Sequence, residues 1–432
     1  MKRKITEDLL RWKNRPSGRM PLLVYGARQV GKTHIIREFG KRHYKNVAYF
    51  NFETNQTVAS YFAENIVPER ILRFLEAESR ERIVPGDTLI LFDEIQSCER
   101  ALTSLKYFNE LTPEYHILCA GSLLGVAINR EQYSFPVGNV DSVMLFPLDF
   151  EEFLWALDEE RLCAEIRRGF DADEALPDAL HKKALDLYKQ YLIVGGMPRA
   201  ILEYAETSGL LTVPDVQNKI INDYIADMAK YASNAESVKI RAAYNSIPVQ
   251  LAKENKKFQY KLARKGGTAV IFGAAIEWLA FAGIVLKCER LEHGFLPISV
   301  YRDLSSFKLY MSDVGLLTMK SGIPPQIVLS ASEIENGFLG AIAENYVAQA
   351  LASNRHDLFY WTNDGTAELD FVLQQSGDII AVEVKTGTHT KSKSLRMFEA
   401  KYKPARSIRV SSKNFGFENG VKSVPLYAVF CV

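Results

Sequence analysis

The chain has 432 residues, 47% hydrophobic and 24% charged, the profile of a globular protein long enough for two or three domains. Its 53 Lys and Arg against 52 Asp and Glu leave a formal charge of +1, so any nucleic-acid reading must rest on local charge. Five scattered cysteines, none in a Cys-x-x-Cys pair, argue against a zinc site or a disulfide framework and fit a reducing cytoplasm. The basic start MKRK runs into ITEDLLRWK without an apolar stretch of signal-peptide length. The longest later apolar run, WLAFAGIVL, is far short of the ~20 residues a membrane span needs, so a soluble, untargeted chain is expected.

In PLLVYGARQVGKTHIIREF an apolar strand, a glycine-bearing loop and an amphipathic helix follow one another, and Gly26 to Thr33 match GxxxxGK[ST]. Each fixed residue type has a physical reason. Gly26 and Gly31 let the backbone curl, so that the loop Gly26, Ala27, Arg28, Gln29, Val30, Gly31 turns its N–H groups toward phosphate. Lys32 reaches the outer phosphates of ATP, and Thr33 offers a hydroxyl to Mg2+. The helix beginning near Lys32 adds the positive end of its dipole.

GDTLILFDEIQ is a near-continuous apolar run, as expected of a buried parallel strand, and ends in Asp93 and Glu94. Asp93 is placed to hold the water shell of Mg2+ and Glu94 to polarise the attacking water. NVAYFNFE before it and YHILCAGS after it supply two further strands. An extra strand between the phosphate loop and the Asp-Glu strand, with glutamate beside aspartate, is the arrangement of P-loop ATPases that use a glutamate base. In such proteins the next strand ends in a polar sensor for the terminal phosphate; Ser122 stands there, although a serine after glycine is also a plain turn residue. NVDSVMLFPLDFEEFLWAL adds a fifth strand and a helix, closing the domain near residue 155. These segments resemble AAA-type ATPases. No motif marks an arginine finger; Arg130 and Arg199 are the candidates, and a finger supplied in trans implies a homo-oligomer.

From Glu151 to Asp178 ten Asp and Glu face three Arg, which reads as a solvated helical face or as an acidic contact for a partner. YLIVGGMPRAIL places Gly195, Gly196 and Pro198 in a turn between two helices, as in a small helical lid. Between Val238 and Leu317 the pattern predicts three helices and a two-stranded hairpin, whose second strand is FKLYMSDVGLL; this is the order of a winged helix. Within it KENKKFQYKLARK carries six Lys and Arg to one Glu, with Phe258 and Tyr260 inside. Such a surface suits DNA, and winged helices equally serve as protein docking modules.

Toward the C-terminus ELDFVLQ and IIAVEVKTG read as two strands joined by the tight turn QSGD. Alternation puts Glu383 and Lys385 on one face, and the hairpin is expected to bring Asp370 beside Glu383. Two carboxylates bind a divalent metal and a lysine positions or activates the water; this order resembles the PD-(D/E)XK nuclease motif. Glu344, on the helix GAIAENYVAQALA, is the candidate for an additional metal-binding carboxylate. From Lys385 to Lys413 nine Lys and Arg face one Glu, a run that reads as a phosphate-backbone track for DNA or as a solvated face.

Over nearly its whole length the chain resembles bacterial and archaeal AAA-type ATPases with a C-terminal region of unknown function, through GARQVGKT, LILFDEIQ, CAGSLLG, FPLDFEEFL, YLIVGGMPRA, FKLYMSDVGLL and AELDFVLQQSGDIIAVEVKTG. The resemblance implies an α/β chain made of a parallel-sheet P-loop ATPase core (1–155), a helical lid (156–235), a winged helix (236–325) and a restriction-endonuclease-like α/β domain (326–432). It implies ATP-site residues Lys32, Thr33, Asp93 and Glu94, and nuclease-like residues Asp370, Glu383 and Lys385. Where many related chains have Gly-Ser-Ser, this one has Gly-Ser-Leu, keeping Ser122. Two functions are compatible with this layout. One is ATP-driven DNA processing; the other is a nucleotide-controlled protein-interaction switch whose C-terminal fold is an inactive scaffold.

Overall fold

A run such as TLILFD has no polar face to offer water, so it is stable only inside a sheet covered on both sides. In the computed structural model, which describes all residues except 123–135, 137, 208, 231, 331–336, 364–366 and 386–392, it is the wholly buried strand β3. The described residues divide into one unit of 1–146 with 281–283 and a second of 147–280 with 284–432.

In the first unit β1 (Leu22–Tyr25), β2 (Asn46–Asn51), β3 (Thr88–Asp93), β4 (His116–Gly121) and β5 (Asp141–Met144) form a parallel sheet in the order β2-β3-β4-β1-β5. The strand lying between β1 and β3 is therefore β4, while β2 takes the edge. Helices α1 (Ile5–Lys13), α2 (Lys32–His43), α3 (Gln56–Glu64), α4 (Pro68–Ser79) and α5 (Glu99–Leu111) flank it. Val58 and Phe62 of α3, Leu75 of α4 and Leu105 of α5 pack with Phe50, Ile90 and Phe92 in one core. α2 lies close on the sheet, because a Cβ at Gly40 would stand 2.7 Å from the Val47 side chain.

The second unit opens with helices α6 (Phe150–Ala156), α7 (Glu160–Ala172), α8 (Asp178–Val194), α9 (Pro198–Thr207), α10 (Val213–Lys230), α11 (Asn234–Leu251), α12 (Tyr260–Ala263) and α13 (Ala269–Phe281). Asp149 and Glu152 form a capping box that starts α6. The strands β6 (Val285–Leu291), β7 (Arg302–Met311), β8 (Phe359–Asn363), β9 (Ala367–Gln375), β10 (Asp378–Val384), β11 (Arg406–Ser411), β12 (Gly416–Glu418) and β13 (Val421–Pro425) make one sheet, ordered β12-β13-β11-β10-β9-β8-β6-β7. α14 (Val314–Ser321), α15 (Pro325–Ser330), α16 (Gly337–Ser353) and α17 (Lys393–Tyr402) complete it.

This arrangement revises the expected wing. The hairpin β6–β7 follows three helices as anticipated, but β6 also pairs in parallel with β8 through Glu289↔Phe359 and Leu291↔Trp361. The hairpin is thus the edge of the eight-stranded sheet, and the strands do not separate at residue 325. FKLYMSDVGLL is also not all strand. β7 ends at Met311, and the Asp313 side chain accepts the Leu316 N–H to cap α14. The same carboxylate accepts the Gly196 N–H at 2.6 Å. A Cβ on Gly196 would stand 2.0 Å from the Leu148 carbonyl oxygen, so the Gly-Gly turn is fixed by its packing.

Candidate functional site

β1 delivers the chain to a loop with three positive φ angles, at Gly26 (141°), Gln29 (67°) and Gly31 (95°). Gly26 is required twice over, since a Cβ there would lie 2.2 Å from the Leu145 carbonyl oxygen. Lys32, at the first turn of α2, is 6% exposed, and its Nζ donates to the carbonyls of Gly26 (2.9 Å) and Ala27 (2.8 Å). The ammonium is therefore held inside the curl of the loop.

The next residue meets the end of β3. Thr33 Oγ1 is 3.1 Å from both carboxylate oxygens of Asp93, which is 3% exposed. Asp93 also accepts the Tyr49 hydroxyl at 2.7 Å and the Asn51 amide at 3.4 Å. Burial, then the bond to Asp93, pushes the Tyr49 phenol up. A hydroxyl and a carboxylate, both hard oxygen donors in contact, fit the preference of Mg2+.

Glu94 leaves the strand in the left-handed region, with φ 50° and ψ 40°. Its Oε2 accepts the Gln96 amide at 2.5 Å and lies 3.5 Å from Ser122 Oγ at the end of β4. Lys32 and the loop, Thr33 with Asp93, and Glu94 with Ser122 thus stand together at the C-terminal ends of parallel strands. Tyr49, Asn51 and Gln96 were not anticipated. The signal for two of them lies in NVAYFN, where Asn51 is the register partner of Asp93 and alternation puts Tyr49 on the same face. Of the arginine candidates, Arg199 is exposed on α9 and Arg130 lies outside the described residues.

The second expected site is arranged differently. Asp370 sits where the β8–β9 register shifts between Phe359↔Val372 and Trp361↔Leu369, an irregularity of the bulge kind. Its carboxylate accepts the Val384 N–H at 2.8 Å. Burial first, and then the negative charge of Glu344, push its carboxyl up. Glu383, 1% exposed on β10, faces other partners, Lys385 at 3.3 Å and Arg409 at 3.7 Å.

Glu344 stands on α16 as expected, but cations surround it. Lys308, wholly buried on β7, is 2.8 Å from it and 2.5 Å from Glu368. Lys256 and the Tyr310 hydroxyl also bond Glu344. Burial opposes its ionisation, yet the charges of Lys308 and Lys256 hold its carboxyl below the usual range. Among the described residues no three His, Cys, Asp or Glu side chains form a group able to hold a metal. Asp370, Glu383 and Glu344 therefore do not present a shared three-carboxylate metal group: Asp370 meets a backbone N–H, Glu344 meets two lysines and Tyr310, and Glu383 lies beside Lys385 and Arg409.

The basic stretches differ in exposure. Lys253, Lys261, Arg264 and Lys265 are exposed, while Phe258 is buried beneath Phe307 with ring centroids 5.6 Å apart. Lys393, Arg396, Lys401, Lys403 and Arg406 are exposed on and after α17; residues 386–392 lie outside the described set. No helix among the described residues is long and apolar enough to cross a membrane.

Comparison with known proteins agrees with the first site. Residues 18–154 match the family model described as AAA domain, and residues 185–327 and 339–429 match two domains of unknown function, DUF8612 and DUF4143. The uncharacterized protein Rv2008c of Mycobacterium tuberculosis is 36% identical over 98 residues, 22% of this chain and 21% of the relative, and Mb2031c of Mycobacterium bovis matches equally. The similarity thus spans about a fifth of these relatives' length. The Walker-type ATPase PABY2304 of Pyrococcus abyssi is similar in structure with a TM-score of 0.45 at 16% identity, covering 74% of this chain and 95% of that one. The ORC2 protein of Aeropyrum pernix gives 0.40 at 14% identity, over 78% and 92%. Phosphate loop, Thr33–Asp93 contact, neighbouring glutamate and family match coincide, and residues 18–154 carry an AAA domain of the P-loop ATPase type.

Proposed function

We propose that the chain binds ATP with Mg2+ and hydrolyses it, and that nucleotide state controls what the second unit binds. The observation that carries this reading is the Thr33–Asp93 contact beside Lys32 and Glu94. Gly26 to Gly31 would cradle the phosphates with their N–H groups, and Lys32 would exchange its bonds to loop carbonyls for the outer phosphates. Thr33 and Asp93 would hold Mg2+, which supplies charge neutralisation on the phosphates. Glu94 orients the attacking water and takes its proton, with Ser122 as sensor and Gln96 steadying the carboxylate. The five scattered cysteines, none in a Cys-x-x-Cys pair, speak for a reducing cytoplasmic setting. Exposed Arg199 is the described candidate for a finger supplied by a second copy.

The separate engagement of Asp370 and Glu383 favours a scaffold role for the C-terminal sheet over metal-dependent cleavage. A second reading, in which the partner is DNA, is favoured by the exposed cations Lys253, Lys261, Arg264 and Lys265. ATP turnover tests the first claim. Glu94→Gln is expected to keep nucleotide binding and lower turnover by about 100-fold or more, and equal turnover in both proteins would remove Glu94 from the mechanism. Adding duplex DNA separates the readings, since DNA-stimulated turnover favours processing and indifference favours a protein partner. Metal-dependent cleavage that is lost in Asp370→Ala would overturn the scaffold assignment.

A further inference from the structure

The basic start MKRK has no role in the account so far, yet its third residue is buried. Arg3 is 6% exposed, unusual for a guanidinium, and it donates from Nη1 to the Val30 carbonyl at 3.0 Å and from Nη2 to the Phe146 carbonyl at 2.7 Å. Those two oxygens belong to the two supports of the phosphate loop. Val30 is the last residue before Gly31, and Phe146 follows Leu145, whose carbonyl backs Gly26 and whose N–H donates to Tyr25 at 2.7 Å. One planar guanidinium therefore ties the far end of the loop to the segment behind its near end.

Geometry gives that tie a consequence for ligand binding. Across a planar trans peptide the C=O and the following N–H point in opposite directions. An arginine holding the Val30 oxygen on one side turns the Gly31 N–H to the other. We propose that Arg3 is a positioning residue of the nucleotide site, orienting the Gly31 N–H into the loop so that it meets phosphate. The proposal rests on the ATP-binding reading and adds to it a residue outside the matched 18–154 domain.

The test uses the full chain with Arg3→Gln and Arg3→Lys. ADP and ATP binding with Mg2+ are measured by calorimetry, and thermal unfolding is followed with and without nucleotide. Arg3→Gln is expected to weaken both nucleotides by about 10-fold to 100-fold, as loss of charge-assisted bonds would, and to shrink the shift in Tm that nucleotide produces. Arg3→Lys keeps the charge but lacks the fork, and recovers part of the affinity. A lower Tm without nucleotide, combined with unchanged nucleotide affinity, would make Arg3 a mere tether of the fold and overturn the proposal. If Arg3→Gln does not fold, Arg3→Lys decides, because wild-type affinity in that variant overturns the need for the two-armed contact. A wild-type chain that binds no nucleotide sinks the ATPase reading along with this one, and is seen in the same titration.

Discussion

Replacing Lys308 by methionine asks whether an internal ion network holds the C-terminal sheet. Methionine keeps most of the side chain's length and packing and removes only the ammonium. In the wild type that ammonium is wholly buried, 2.8 Å from Glu344 and 2.5 Å from Glu368. Burial opposes its charge, yet Glu344, Glu368 and Asp370 push the ammonium well above its ordinary value. Removing one partner of a buried ion pair costs about 3–5 kcal/mol. The lower end is expected here, because Glu344 retains Lys256 and Tyr310 and the Glu368 side chain is 35% exposed. About 3 kcal/mol corresponds to a change of roughly 150-fold in the opening equilibrium. Hydrogen exchange of β7 and α16 should therefore accelerate by about two orders of magnitude, while β3 keeps its wild-type rates. Combining Lys308→Met with Glu344→Gln should cost less than the sum of the single changes, by about 1 kcal/mol or more. Acceleration below about fivefold in Lys308→Met, equivalent to about 1 kcal/mol, would refute the network as a stabilising element.

Gly26→Ala should abolish nucleotide binding and lower stability by more than about 1 kcal/mol, since its Cβ would stand 2.2 Å from the Leu145 oxygen at a φ of 141°; calorimetry and thermal unfolding check both. Asp313 predicts a pH dependence, because burial pushes its carboxyl from 3.8 up to about 6 despite the N–H bonds from Leu316 and Gly196. Between those values the folded chain carries a proton that the unfolded chain has lost. Its contribution to stability is therefore full below about 3.8, falls as pH rises through about 6, and is flat above. Urea midpoints across that window, compared with Asp313→Asn, measure the slope, which the variant should lack.

The nucleotide site was legible because its chemistry is local. Gly26, Gly31, Lys32 and Thr33 are fixed by a single loop's geometry, and Asp93 with Glu94 terminate an apolar run that reads as a buried strand. Tyr49, Asn51 and Gln96 escaped notice because each acts through a strand register or a side-chain bond that spacing does not encode. Arg3 escaped for the same reason, its two carbonyl partners lying 27 and 143 residues away. In the C-terminal half the order Asp370, Glu383, Lys385 suggested a shared metal; in the structure Asp370 accepts the Val384 N–H while Glu383 lies beside Lys385 and Arg409. The β8–β9 register irregularity near Asp370 and the buried Lys308 beside Glu344 are not visible in the pattern ELDFVLQQSGDIIAVEV. The pairing of β6 with β8 was not legible either, since a hairpin after three helices does not announce whether its open edge will find another strand.

That open edge sets the order in which the chain can be built. β6 emerges from the ribosome long before β8, its parallel neighbour, because α14, α15 and α16 intervene. Until Phe359–Asn363 arrives, the nascent hairpin carries a row of unpaired N–H and C=O groups available to any other strand. A fragment ending near residue 325 would keep that sticky rim permanently, so dissecting the protein between its helical part and its C-terminal strands invites aggregation. The same reasoning makes synthesis of the C-terminal third a checkpoint, with a large part of the second unit waiting for its last strands before it can close.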